Sequence, residues 1–332
     1  MWLVLRWAGL IGRHKPAKVS MRIPLQRWVT RSRLPGLLGL WLFLLLLFTG
    51  CSVRKMALRS VAGSFDDALT AYTRDDDPEF VRNAMPASLK MIEILITESP
   101  ENVTLLQTAA SGFTMYSHAF LVQRADRVEL EDVAGARELR TRGKQMFLRA
   151  RDYGLRALEA EYPGFRDQLE ANTGAALQRV SEADIPLVYW TAAPWGSAIG
   201  LDTDDYELVM DIPVVGKMIE RCLELDETWG GGRLHEFMMA YEANRRGMGG
   251  SLEEAERHYL RALELNQGQS AALFVSAAEA LAVPRQNRSR FKSLLQKALE
   301  VNVEDNPDMR LLNVMAQNRA RWLLDHTDHY FY

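Results

Sequence analysis

One phrase keeps returning at the ends of apolar-periodic segments. IEILITESPE, LRALEAEYPG, ERCLELDETW, LRALELNQGQ and QKALEVNVED each place a small or apolar residue, then Leu or Ile and an acid, just before a turn. In the last three, Cys222, Ala262 and Ala298 hold equivalent places, 40 and 36 residues apart. A unit returning at such intervals confines the chain to architectures in which like pieces stack on their neighbours. The pieces are helical: apolar residues recur three and four apart in LKMIEILI, MFLRARDYGLRALEAEY and LEEAERHYLRALEL, Leu, Ala, Glu, Arg and Met dominate, and alternating apolar and polar runs are scarce. TESPEN, EYPGF, EADIP, ETWGGG, RGMGGS, LNQGQ and VEDNPD mark the breaks, which predicts an all-α fold of roughly twelve helices.

The repeat interval lies close to the helix pair of about 34 residues that builds tetratricopeptide arrays. In SLEEAERHYLRALELNQ, Ala255, Tyr259 and Ala262 match the small, aromatic and small positions of a second helix, while Gln267 stands where a closing Pro is usual. An earlier copy keeps its Pro, Pro100, and follows it with Leu106, Ala109, Ala110 and Phe113 at bulky, apolar, small and aromatic positions. The expectation is therefore stacked helical hairpins, a tetratricopeptide-like solenoid closing on a cavity or groove, with an irregular helical bundle as the competing reading. Such an array binds and does not by itself catalyse. No Gly/Ser-rich or Pro-rich linker interrupts residues 61–332, so these are expected to form a single domain.

Ahead of it, LLLLFTGCSVRK switches abruptly from apolar residues to a thiol and then to polar and basic residues. The apolar block from Leu37 to Phe48 spans twelve residues, well short of the roughly 20 that cross a bilayer. Arg27, Arg31 and Arg33 precede it and Thr49 and Gly50 follow, the order of a secretory signal. FTGC resembles a bacterial lipobox, with Phe48 where Leu, Val or Ile is usual. Residues 1–50 are accordingly expected to be removed, with translation starting at Met21, and Cys51 to be acylated, with residues 51–60 as anchor and tether; an uncleaved signal anchor is the alternative. Without residues 1–50 the chain carries 32 basic against 43 acidic residues, a net of -11. That balance, with no basic run, argues against nucleic acid and against adhesion of the body to an anionic membrane. An acylated Cys51 leaves Cys222 unpaired, and MIERCLELD places it as a packed thiol.

The candidate binding residues cluster in two segments. In VYWTAAPWGSAIGL, Tyr189, Trp190 and Trp195 cannot all point into one narrow seam, so at least one ring should face a cavity or partner; Gly196 permits a close approach, and Pro194 is expected to kink the helix. In LHEFMMAYEA, Phe237, Met238 and Tyr241 fall on neighbouring turns of one face, with His235 and Glu236 opening the adjoining one. A cavity of Met and aromatic residues with one or two polar tips suits an amphiphilic organic acid or lipid, although core packing accounts for the same pattern. Catalytic signatures are missing: there is no Gly-rich phosphate loop and no GxSxG, and acid runs such as RDDDPEF and DTDDYEL sit where acids cap helices. No metal or cofactor is expected, because Met239 stands where a zinc helix opening with His235 and Glu236 would need its second His. His326 and His329 are read as part of a solvated, fraying tail.

Together, Cys51, VYWTAAPWGSAIGL, LHEFMMAYEA, MGGSLEEAERHYLRALEL and the late NRARWLLDH resemble the T component, TatT, of TRAP transporter systems over most of residues 51–332. The resemblance implies an envelope lipoprotein of degenerate tetratricopeptide hairpins that associates with a periplasmic solute-binding protein and handles apolar ligands. The repeat and the missing catalytic motifs argue for a non-enzymatic role, and self-association into a homo-oligomer is left open. Ser52 lacks the acid associated with inner-membrane retention, so the outer membrane is favoured, facing the periplasm. The alternative is an envelope assembly lipoprotein whose groove holds a segment of another protein.

Overall fold

The computed structural model describes residues 70–332; the expectations for residues 1–50, Met21, Cys51 and the tether fall outside them. Among the described residues there is no strand. The helices are α1 Pro78–Glu98, α2 Val103–Tyr116, α3 Gln123–Val128, α4 Val133–Glu161, α5 Phe165–Ala171, α6 Thr173–Leu177, α7 Ile185–Leu201, α8 Tyr206–Val209, α9 Ile212–Asp226, α10 Arg233–Asn244, α11 Leu252–Asn266, α12 Ala271–Ala277, α13 Arg288–Glu300 and α14 Arg310–Asp325. None is long and apolar enough to cross a membrane. The turns fall at each break read from the sequence.

Local chemistry explains the boundaries. Asp77 caps α1 by accepting from the Glu79 and Phe80 backbone N–H groups, with Pro78 at the first helical position where its missing donor costs nothing. From there Val81, Met85, Leu89, Ile92 and Ile96 make one buried stripe at helical spacing. Ser251 caps α11 in the same way, and Ala255, Tyr259 and Ala262 form its buried face. That helix closes at Gln267, left-handed at φ 54°, where a Pro had been the usual residue. Helix α7 continues through Pro194 from Ile185 to Leu201 with no break in its helical assignment.

Successive helices pack on one another. The long α4 is the spine of the first half and lies between α2 and α7. Its Gly154 presses on Thr191 of α7 so closely that an added Cβ would sit 2.2 Å from the threonine Oγ1. Further on, α10 packs on α11, and α12, α13 and α14 pack among themselves. The array then returns to its beginning: α14 touches α1, Arg74 donates to Asp308 at 2.6 Å, and Arg319 of α14 reaches Asp126 of α3 at 2.8 Å and Glu279 at 2.7 Å. The fold is an all-α, solenoid-like stack of helices whose two ends meet.

The C-terminal tail departs from its expectation, whereas Cys222 is packed as its sequence context implies. The C-terminal tail does not fray: Phe331 is buried with its ring 5.1 Å from Phe291, and His326 stacks on Trp322 at 4.6 Å. Apolar burial of Phe331 outweighs the tail's polar composition. Cys222 is buried, and burial pushes its thiol up to about 12.

Candidate functional site

Where the ends of the stack meet, the helices form a half-open cavity of about 570 Å³. Each wall is one face of a helix, and the spacing in sequence explains why. On α2 and the π turn that follows it (Ser117–Val122), Ser111, Thr114, Met115 and His118 stand at i, i+3, i+4 and i+7. Tyr189, Ala193 and Ser197 repeat every four residues on α7, with Trp190 beside them. Arg233, Glu236 and Phe237 lie at i, i+3 and i+4 on α10, and Asp308, Leu311, Leu312 and Met315 line the cavity from the start of α14. The lining is mainly apolar with a few polar groups converging on it, and the volume falls in the range of roughly 300–1,000 Å³ typical of small-molecule sites.

Aromatic rings gather at one end. Tyr189 meets Trp190 edge-on at 5.0 Å and Trp229 at 5.1 Å, and the Arg233 guanidinium lies between 5.7 and 5.9 Å from all three ring centres. Such contacts attract a cation to the ring faces. Glu236 accepts from the Ser276 hydroxyl at 3.0 Å. Burial pushes its carboxyl up, against the pull of that hydrogen bond and of Arg233. Burial likewise raises the Tyr189 phenol to about 12, while the exposed His118 has its imidazole lowered by desolvation at the cavity and by the nearby Arg319 charge.

Two neighbouring hollows adjoin the cavity. A second apolar cavity of about 490 Å³ shares Ser197 and Phe237 with the first and adds Gly196, Ile212, Val215, Tyr241 and Met248. A polar groove lined by Arg82, Arg124 and Arg127 shares Ala119, Phe120 and Met315 with it. Phe237 thus lines both cavities, together with Ser197, and packs so tightly on α7 that a Cβ at Gly196 would lie 3.2 Å from its Cζ.

Of the residues singled out in the two candidate binding segments, Tyr189, Trp190, Glu236 and Phe237 line the main cavity, and Gly196 and Tyr241 line the second. The other three lie elsewhere. Trp195 is in the core, 7% exposed, its indole N–H donating to Asp211 at 3.1 Å and Arg151 5.3 Å from its ring. Met238 is also buried in the core. His235 faces His258, the two Nδ1 atoms 2.8 Å apart, while its Nε2 lies 3.3 Å from Glu227. The candidate packing residues Ala109, Ala110, Phe113, Ala255, Tyr259 and Ala262 are all buried.

Arg233, Trp229, His118 and the Leu311, Met315 face escaped the sequence reading. Arg233 carried a usable signal: it precedes Glu236 and Phe237 by three and four residues and so shares their helix face. Trp229 stands in the turn just before Arg233, whereas His118, Leu311 and Met315 come from segments remote in sequence, and only packing brings them together.

A family model described as TRAP transporter T-component matches residues 74–331. An uncharacterized protein of Treponema pallidum (strain Nichols) is 26% identical over 305 residues, covering 86% of this chain and 94% of that protein.

Proposed function

Since the chain belongs to the TRAP transporter T-component family, we propose that it contacts the periplasmic solute-binding protein of a TRAP-type system and holds an apolar or amphiphilic ligand in its cavity. Membership in that family makes it an accessory of transport in the bacterial envelope. The ligand part of the reading is carried by the cavity at the junction of the stack, where Tyr189, Trp190, Phe237, Leu311 and Met315 present apolar surface that packing leaves uncovered. The mainly apolar lining of that half-open cavity supports a small amphiphilic ligand over the polar groove that an assembly lipoprotein would use for another protein's segment.

In this reading the helix pairs are degenerate tetratricopeptide hairpins, with Ala109, Ala110, Phe113, Ala255, Tyr259 and Ala262 as their packing positions. Acyl chains on Cys51 hold the protein on the periplasmic side of the outer membrane. More than one chain makes such attachment stable, at about 0.8 kcal/mol per buried methylene.

Affinity capture of solute-binding proteins from the native cell, paired with titration of an apolar fluorescent probe, tests both halves. Capture of the solute-binding protein and saturable probe binding are expected. Capture of none would return the reading to the assembly lipoprotein. Cys51→Ser should abolish incorporation of an acyl label, and an unlabelled wild-type protein with an intact N-terminus would remove the anchor.

A further inference from the structure

Apart from its tyrosines, the cavity carries four ionisable side chains: Arg233, Glu236, Asp308 and His118. Two are answered from within the protein: Asp308 pairs with Arg74 and Glu236 accepts from Ser276. His118 is exposed at the cavity, and desolvation with the Arg319 charge lowers its imidazole. Arg233 differs. Among the described residues its guanidinium has neither an ion pair nor a hydrogen bond, and its company is the faces of Tyr189, Trp190 and Trp229.

Ring faces attract a guanidinium but use none of its N–H donors. A half-buried, permanently charged group with unused donors favours a partner that supplies both negative charge and acceptors, and the planar fork of arginine matches the two oxygens of a carboxylate. The apolar surface of Met115, Phe237, Leu311 and Met315 in the same cavity calls for hydrocarbon and not for a second polar group. We propose that the ligand is a single-tailed amphiphile whose carboxylate docks on Arg233 and whose chain runs along this apolar wall. The three rings hold the guanidinium in place before the ligand arrives, which lowers the ordering cost of binding. Glu236, one helical turn from Arg233, does not block this: burial pushes its carboxyl toward the protonated form, which opposes a second anion less than an ionised acid would.

This inference rests on the ligand-binding reading above, and the test separates the two. Dodecanoate, dodecanol and dodecyltrimethylammonium, each below its micelle concentration, are titrated calorimetrically into the purified protein and into Arg233→Gln and Arg233→Lys. The wild type should bind the acid at least tenfold more tightly than the alcohol, with the ammonium weakest. Arg233→Gln should bring the acid down to the alcohol while leaving the alcohol unchanged, and Arg233→Lys should retain part of the preference. Equal binding of acid and alcohol by the wild type, or an undiminished preference in a folded Arg233→Gln, would overturn the head-group assignment and leave cavity binding standing. Failure of all three amphiphiles to bind would bring down both. The head-group series on the wild type needs no variant, so a misfolded substitution cannot spare the proposal.

Discussion

The helices up to Asp226 and those from Met239 onward are joined by different residues. The first core, which also takes in Leu234, Met238, Leu311 and Met315 from beyond those helices, is wedged together by large side chains such as Phe147, Phe165, Ile92 and Leu158, and six of its 38 buried residues are alanine; in the second, ten of 21 are alanine. Alanine seams let helix backbones approach. The turn before α10 shows how closely: Gly232, at φ 93°, lies so near Ala262 that a Cβ would come 2.8 Å from its carbonyl oxygen. Copies of the recurring phrase close helices in both regions, α1, α4 and α9 in the first and α11 and α13 in the second, so it reports helix ends and not the alanine seams. Packing by large side chains is irregular, and it is on the inner faces of these helices, with α10 and α14 as the remaining walls, that space for a ligand is left. The alanine-rich part therefore scaffolds, and the part packed by large side chains supplies most of the site.

The largest test of that contrast uses two tryptophans five residues apart. Trp195→Ala should lower the unfolding free energy by about 3–5 kcal/mol, because it empties a core position. Trp190→Ala, at the cavity wall, should cost less stability and more ligand affinity; denaturant unfolding and probe titration on both variants would expose a reversal. In the alanine region the damaging change runs the other way. Ala262→Leu overfills the seam beside Gly232 and should cost about 1–3 kcal/mol, read in the same unfolding assay, whereas a neutral result would mean that the seam is looser than its geometry.

A smaller effect is a pH dependence located in the second region. Burial, reinforced by the charge of His235, lowers His258 from 6.5 to about 4. The unfolded chain then binds the proton more readily than the folded one, so stability should fall as pH drops from about 6.5 toward 4 and level off below. Partial exposure of His258 softens the slope, and His258→Gln should flatten it further in urea unfolding measured across that range. Smallest of all is the clip between the two ends of the stack. Arg74 and Asp308 are both well over half exposed, and Arg74→Gln should change stability by no more than about 1 kcal/mol. A larger loss would mean that ring closure depends on this pair and not on the apolar contact of α14 with α1.

The sequence by itself determined the helices, their breaks, the capping acids and the buried alanines, because each follows from spacing within one turn or one repeat. Asp77 and Ser251 cap where their positions predict, and Cys222, Ala262 and Ala298 are all fully buried. It also pointed to Tyr189, Trp190 and Phe237, since their helix faces were too aromatic for a simple seam. Tertiary structure alone decided which rings were left uncovered. Trp195 shares a helix with Trp190, yet the carboxylate of Asp211 and the guanidinium of Arg151 claim it for the core. The tail packs because Phe331 finds Phe291, a partner forty residues earlier. The cavity exists only because α14 returns to α1, bringing Leu311 and Met315 opposite residues some two hundred positions away. Contacts at that range leave no periodic trace in the chain, and the same apolar face reads alike whether it meets another helix or an empty space.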